Sequence, residues 1–527
     1  MRYMKWLAIL SLVSEGCFQP EDATDSTAQA SQHPIIPIIE ISAAVQYDIS
    51  RPLREMPGAP AVKKYEGPLR KIRPQGPDLD DTVVQGAPLA PTPKIAVTTG
   101  LNFAGIGNGD YGFAPDSAPP DTNGVAGGFQ YVQWVNESFA VFDKFTGAIT
   151  PGFPIRGNTI WTGFGGACET NNDGDPIVQY DKLASRWILT QFSVSTTPFL
   201  QCVAVSTTSD ATGSYARYAF SYANFPDYPK LAVWPEAYFI SFNSFNITSD
   251  AFMGAMACAY DRIAMLAGAP ATQICFQQPN TVASLLPSDL DGTTPPPPGS
   301  PNFFVTLQTT TSLNLFKFSM FGFSGPVTIP IASYTPACSG GTCIPQPGTT
   351  QKLDSLSDRL MYRAAYRNFG DHESLLLTHS IAGPGGRSGI RWYELRRTPS
   401  GTDPFSVFQQ GSFAPPDGLF RWMPSIAMDQ RGNIAVCYSV SSSTIFPGIR
   451  CAARAPTDAS GTFSSEFVLQ NGAGSQLTGL SRWGDYSALT IDPVDDCTFW
   501  FTSEYLKANG TFNWSTKIAS FKLAGCP

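Results

Sequence analysis

From about residue 95 onward the chain sets short aromatic and β-branched runs between polar turns, the pattern of many short strands. Examples are YVQWVNESFAVFDK (131–144), RWILTQFSV (186–194) followed by QCVAVSTT (201–208), and NIAVCYSV (433–440) followed by IRCAAR (449–454). The runs group into seven units spaced by roughly 50 to 65 residues, near the long end for propeller blades. Several units open on a short aliphatic run led in by Asp, Pro or Trp: Asp175-Pro176-Ile177, Asp227-Tyr228-Pro229, Trp422-Met423-Pro424 and Trp483-Gly484-Asp485. Units six and seven agree closely, SIAMDQRGNIAV (425–436) against SALTIDPVDDCTF (487–499). A small sheet cannot bury both faces alone, so such units stack on one another. The pattern predicts an all-β fold, a single seven-bladed β-propeller over residues 95–527. A pair of β-sandwiches is the alternative.

The rest of the chain follows a different pattern. Residues 18–94 are rich in Pro, Ala, Asp and Ser, with stretches such as GAPLAPTP (86–93) that cannot hold a strand ladder. They predict a flexible tether, although PIIPIIEIS (34–42) is apolar enough to dock. At the start, Arg2 and Lys5 precede an apolar run, Trp6 to Val13, too short to span a bilayer. Residues 1–17 therefore read as an export signal. It ends on Ser14-Glu15-Gly16-Cys17, which resembles a bacterial lipobox: Gly16 and Cys17 match, while Ser14 and Glu15 depart from it. The expected location is the outer membrane or cell surface, with Cys17 lipidated, or a secreted or periplasmic state.

Composition sharpens this. There are 47 Gly, 45 Pro, 36 Phe and 19 Tyr, and only 14% of residues are charged, which suits strands and turns over helices. The net charge of −8 argues against nucleic acid, which asks for a basic face. The expected partner is a glycan or a protein ligand, with the membrane engaged only through a lipid anchor and the chain a monomer. Of the eleven cysteines, ten remain once Cys17 is set aside. They allow about 945 pairings. Neighbours in a repeat protein are neighbours in space, which favours Cys168–Cys202, Cys258–Cys275, Cys338–Cys343, Cys437–Cys451 and Cys497–Cys526. With no C-x-x-C and three histidines, disulfides outweigh a metal site.

Candidate chemistry is sparse. Glu169, Asn171, Asp173 and Asp175 place oxygens at alternate positions around a glycine, as a Ca²⁺ loop does; a polar turn is the plain alternative. Asp121 to Gly124 (DTNG) is a weaker signal of the same kind. YRNFGDHE (366–373) gathers a cation, an imidazole and two carboxylates. There Asp371, His372 or Glu373 could serve in acid–base catalysis, with Arg367 holding an anion; a salt-bridged loop is the plainer reading. Asp485 is a further catalytic candidate. Arg359, Arg421 and Arg482 recur where units begin and could frame a carboxylate ligand, as an arginine triad does in sialidases. The sialidase Asp-box is absent, however, and salt bridges and Arg–Trp stacking account for the arginines as well.

APPDTNGVAGGFQYVQWVNESFAVFD, CETNNDGDPIVQYDKLASRW, YRNFGDHESLLLTHS and RWGDYSALTIDPVDDCTFW together resemble a group of large exported bacterial proteins. The likeness covers most of residues 100–525. It implies an exported β-protein, propeller-like and distantly sialidase-like in architecture, and nothing catalytic. It directs attention to Asp121, Asp173, Asp175, Asp371 to Glu373 and Asp485. The expected function is an exported binding module with structural Ca²⁺ and no organic cofactor. One alternative is a glycosidase-type hydrolase with carboxylates in the loops that lead into the units. A second is a structural envelope protein, marked by an axis plugged with apolar side chains.

Overall fold

A computed structural model describes residues 38–59, 72, 79–85, 94–399 and 403–526. The expected export signal, residues 1–17 with Cys17, and the GAPLAPTP stretch lie outside the described residues. All described structure belongs to one compact part of the chain, Pro37–Pro527.

The described chain is nearly all strand, arranged as successive antiparallel meanders. Their first strands are Asn123–Ala126, Ile177–Asp181, Phe225–Val233, Leu286–Leu290, Ala364–Asn368, Phe420–Met428 and Ala488–Ile491, in the units numbered from the sequence. Each first strand lies against that of the next unit, and Ala488–Ile491 lies against Asn123–Ala126. Units four and five go further, pairing in parallel from Ser288↔Ala364 to Leu290↔Tyr366. The architecture is propeller-type. Apolar clusters fill the spaces between successive sheets: Trp134, Phe139, Trp187 and Leu189 between units one and two, and Ala435, Ile449, Leu489 and Phe499 between units six and seven. A sheet covered on both faces reads in sequence as a near-continuous apolar run, which is why these strands were legible.

Two features depart from the expected layout. The fourth strand of unit seven comes from the other end of the chain: Val97–Ala104 pairs antiparallel with Trp514–Leu523. The stretch expected to be a flexible tether is partly ordered. Ile38–Ala43 pairs with Thr272–Gln277 of unit three, Gln46–Ile49 with Tyr215–Tyr222 of unit two, and Val84–Gln85 with Ser406–Phe413 of unit five. The physical reason is that the last strand of a meander presents unpaired backbone groups, and IIEISA and QYDI can satisfy them. Proline content nearby says nothing about that opportunity.

All five expected disulfides form. Cys258 faces Cys275 and Cys437 faces Cys451 across paired strands, while Cys497–Cys526 ties the end of the chain to unit seven. Where the first strands meet, buried side chains are ionic. Arg363 pairs with Asp289 at 2.7 Å and with Asp291 at 2.5 Å. Asp289 also accepts from Gln179 at 2.8 Å and from the Val233 amide at 2.9 Å, and Arg363 donates to the Leu489 carbonyl at 3.1 Å. This joins units two, three, four, five and seven by polar bonds, beside the buried apolar contacts among Ile177, Leu231, Val233, Tyr362 and Tyr486.

Candidate functional site

The first strands share a backbone device at or near their start. Asp121, Asp175, Tyr228, Ser284 and Met423 have positive φ, between 42° and 60°. Each lies two residues before the position at which its strand begins pairing with the next, or resumes it after a bulge: Asn123, Ile177, Lys230, Leu286 and Ser425. The left-handed region disfavours β-branched side chains and tolerates Asp, so Asp is admitted at the kink in units one and two.

Those two aspartates meet a third. Carboxylate oxygens of Asp121, Asp175 and Asp485 lie within 4.8 Å of one another, with exposures of 0%, 3% and 5%. The Asp485 amide donates to Asp121 Oδ1 at 2.6 Å, and Asn136 Nδ2 donates to Asp121 Oδ2 at 3.3 Å. Asn136 reaches this far because residue 174 is glycine, where a Cβ would overlap the Asn136 amide. Arg482 is ion-paired with Asp485. Lys230 Nζ sits 3.2 Å from the Tyr228 ring centroid and 4.3 Å from that of Tyr486. Tyr228 donates its hydroxyl to the Asp485 carbonyl at 3.2 Å, and Tyr486 to that of Pro176 at 2.8 Å. Arg359, paired with Asp358 at 2.8 Å, covers Tyr228 with its guanidinium carbon 4.6 Å from the ring centroid.

Electrostatics follow from the burial. Asp121 is pushed well above the usual carboxylate range, first by burial and then by the charges of Asp485 and Asp175. Asp175 is pushed up to about 7, by burial first and then by Asp227 and Asp485. Burial pulls Lys230 down to about 7 against the attraction of Asp175, Asp485 and Asp121. Glu504, buried with neither carboxylate oxygen hydrogen-bonded, is also pushed well up by burial, opposed by Arg482. Crowded buried carboxylates of this kind can share protons or hold a hard cation.

The expected site residues divide. Of the proposed Ca²⁺ loop, only Asp175 belongs to this cluster. Glu169 accepts from the Gly163 and Gly165 amides at 2.8 and 2.6 Å. Asn171 donates to Ser193 and Thr196 at 3.0 and 2.9 Å, and Asp173 accepts from the Val194 and Ser195 amides at 2.5 and 2.6 Å. These three brace their own loop, whose kink at Asp175 turns the fourth away. Among the arginines, Arg359 and Arg482 reach the cluster. Arg421 does not: it is held by Asp417 at 2.6 Å and Glu466 at 2.9 Å. Nor does Arg367, clamped by Asp496 through two bonds of 2.7 Å. The expected frame of Arg359, Arg421 and Arg482 is thus not assembled, because Arg421 turns to partners within its own unit. Asp371 and His372 form an exposed turn pair at 2.7 Å, while Glu373 is buried between Arg397 and Tyr366. Of the catalytic candidates, Asp485 alone lies in the cluster. Lys230, Tyr228 and Tyr486 escaped notice in the sequence; their only signal was the Tyr-Pro-Lys and Trp-Gly-Asp-Tyr lead-ins.

Fold and site together define an all-β, propeller-type protein with a buried ionic cluster where its units begin. No protein-family model and no curated protein matches the chain. Several solved structures are similar in outline. An α-L-arabinofuranosidase of Fusarium graminearum is 11% identical, covering 81% of this chain and 99% of that one, with a TM-score of 0.36. An α-L-arabinanase of Penicillium chrysogenum is 9% identical over 81% and 100%, with a TM-score of 0.36. A protein of unknown function from Dyadobacter fermentans is 11% identical over 82% and 100%, also at 0.36. Scores of this size carry no argument about activity.

Proposed function

We propose that the protein is an exported binding module on a seven-bladed ring, with a divalent cation, calcium by its donor set, tying together the loops that lead into units one, two and seven. The observation that carries this is the convergence of Asp121, Asp175 and Asp485 oxygens within 4.8 Å. Calcium takes oxygen ligands at about 2.3–2.6 Å, so one ion can touch oxygens spaced this way. The charge count agrees. Arg359 is offset by its own partner Asp358, and Asp121, Asp175, Asp227 and Asp485 are set against Lys230 and Arg482. Four acidic groups against two basic ones leave two negative charges, which one divalent ion neutralises. Without an ion, the same imbalance is relieved by protons held on Asp121 and Asp175. Export and a lipid anchor at Cys17 belong to the same proposal.

Thermal unfolding in CaCl₂ and in EGTA tests it. A ligand that prefers the native state stabilises it by about 2.7 kcal/mol at a hundredfold excess over Kd. The full chain is expected to melt higher in calcium, and D175N and D485N to lose that difference. Equal melting of the wild type in both buffers overturns the cation.

The glycosidase alternative draws on a different observation, a carboxylic acid at about 7 on Asp175 beside other carboxylates. The cation reading is preferred because retaining and inverting glycosidases separate their carboxyls by about 5 Å or more and must admit a sugar between them. The cluster is nearly inaccessible. Hydrolysis of chromogenic aryl glycosides by the wild type and not by D175N would reverse that preference.

A further inference from the structure

A cleft of about 630 Å³ lies beside unit one, away from the ionic cluster. It is walled by the turn at Tyr111–Phe113, the loop Pro151–Arg156 and the Leu53–Ala59 segment that follows the edge strands. We infer that this cleft is a binding site for an uncharged oligosaccharide. The inference rests on reading the protein as a binding module, and is independent of the cation.

Three observations support it. First, the size falls within the roughly 300–1,000 Å³ of ligand clefts. Second, the walls are amphipathic in the way a sugar is. Tyr111, Phe113 and Phe153 offer ring surface for the C–H face of a pyranose or furanose, while Arg54 and Arg156 stand at the same cleft as donors for hydroxyls. A Cβ added at Gly112 or Gly152 would meet nothing within 4 Å, so there is open space beside the main chain at both. Third, the charges are already balanced: Arg156 is ion-paired with Asp116, and Arg54 with Asp210 at 3.2 Å. A neutral ligand therefore fits better than an anionic one.

Tyr111 is the focal residue. It is 39% exposed, and its backbone is held in the left-handed region at φ 54°. Strain of this kind on a bulky residue persists only where the surroundings enforce it, and it concentrates at ligand-binding positions. Here the Tyr111 hydroxyl donates to the Ala104 carbonyl at 2.7 Å, and its ring packs edge-on to Phe142 at 5.9 Å, presenting the side chain at the cleft wall.

The experiment is a neutral glycan array followed by calorimetric titration of the best oligosaccharide into the full chain and its Y111A, Y111F and F153A variants. The expected result is binding weakened about tenfold or more by Y111A and F153A. Y111F, which keeps the ring, should retain affinity. Melting temperatures of the variants separate lost binding from lost folding, and Y111F controls for Y111A. Absence of binding to every neutral glycan overturns the proposal. Sugar binding indifferent to Y111A and F153A also overturns it, while leaving the binding-module reading intact. So does capture of a proline-rich peptide in place of sugar, the other ligand an aromatic cleft can take.

Discussion

Asp175 and Lys230 give the ionic cluster a signature that can be read without any ligand. In the folded protein the Asp175 carboxyl keeps its proton up to about pH 7, against an ordinary value of 3.8. Between those values the folded state binds more protons than the unfolded chain, so stability falls as pH rises through that window. Lys230 behaves in the opposite sense. Its pKa is lowered from 10.5 to about 7, so between 7 and 10.5 the unfolded chain binds the extra proton and stability climbs with pH. In EGTA, denaturant midpoints should fall as pH rises from 4 toward 7, with Asp121 and Glu504 adding to the fall. D175N should flatten the acid limb, and a wild-type profile rising steadily from pH 4 would contradict the placement of Asp175. Calcium must displace protons from the same carboxylates, so its stabilisation should be larger at pH 8 than at pH 5.5.

At the scale of elements, the recurring kink and the edge strands matter most. The kink at Asp121 and Asp175 was half-legible: both residues stood out as polar turns, one before Asn123 and one before Pro176-Ile177. Their shared backbone geometry and their common direction were not, since a positive φ leaves no pattern in hydropathy. The edge strands were less legible still. Ile38–Ala43 and Gln46–Ile49 carry Ile39, Ile41, Tyr47 and Ile49 largely exposed, at 56%, 69%, 46% and 58%. They do not read as buried strands, because pairing of backbone rather than burial of side chains holds them. Deleting residues 1–49 would uncover the edges of Thr272–Gln277 and Tyr215–Tyr222. The shortened chain is expected to form concentration-dependent oligomers by light scattering, where the full chain does not. A monodisperse truncated protein, no larger than expected for one chain, would show that these strands do not guard the edges.

Across the whole molecule, contact between the first strands of units one and seven is what converts separate signals into a site. The first strand of unit one lies beside that of unit seven, and Val97–Ala104 completes the last sheet from the opposite end of the chain. That brings Asp121 to the Asp485 amide across 364 residues of sequence. The amino-acid sequence by itself determined the all-β class, the strand runs, the grouping into repeated units and the five disulfides. All of these arise from interactions between segments close along the chain: alternation, turn residues, and cysteines near one another in sequence. It also singled out Asp121, Asp175 and Asp485 one at a time. Only the tertiary structure decided that these three share one buried point while Glu169, Asn171, Asp173, Arg367, Arg421 and Glu373 find partners elsewhere. The reason is that a carboxylate's neighbours are set by backbone kinks and by contacts between strands distant in sequence, and neither is encoded in the residues beside it.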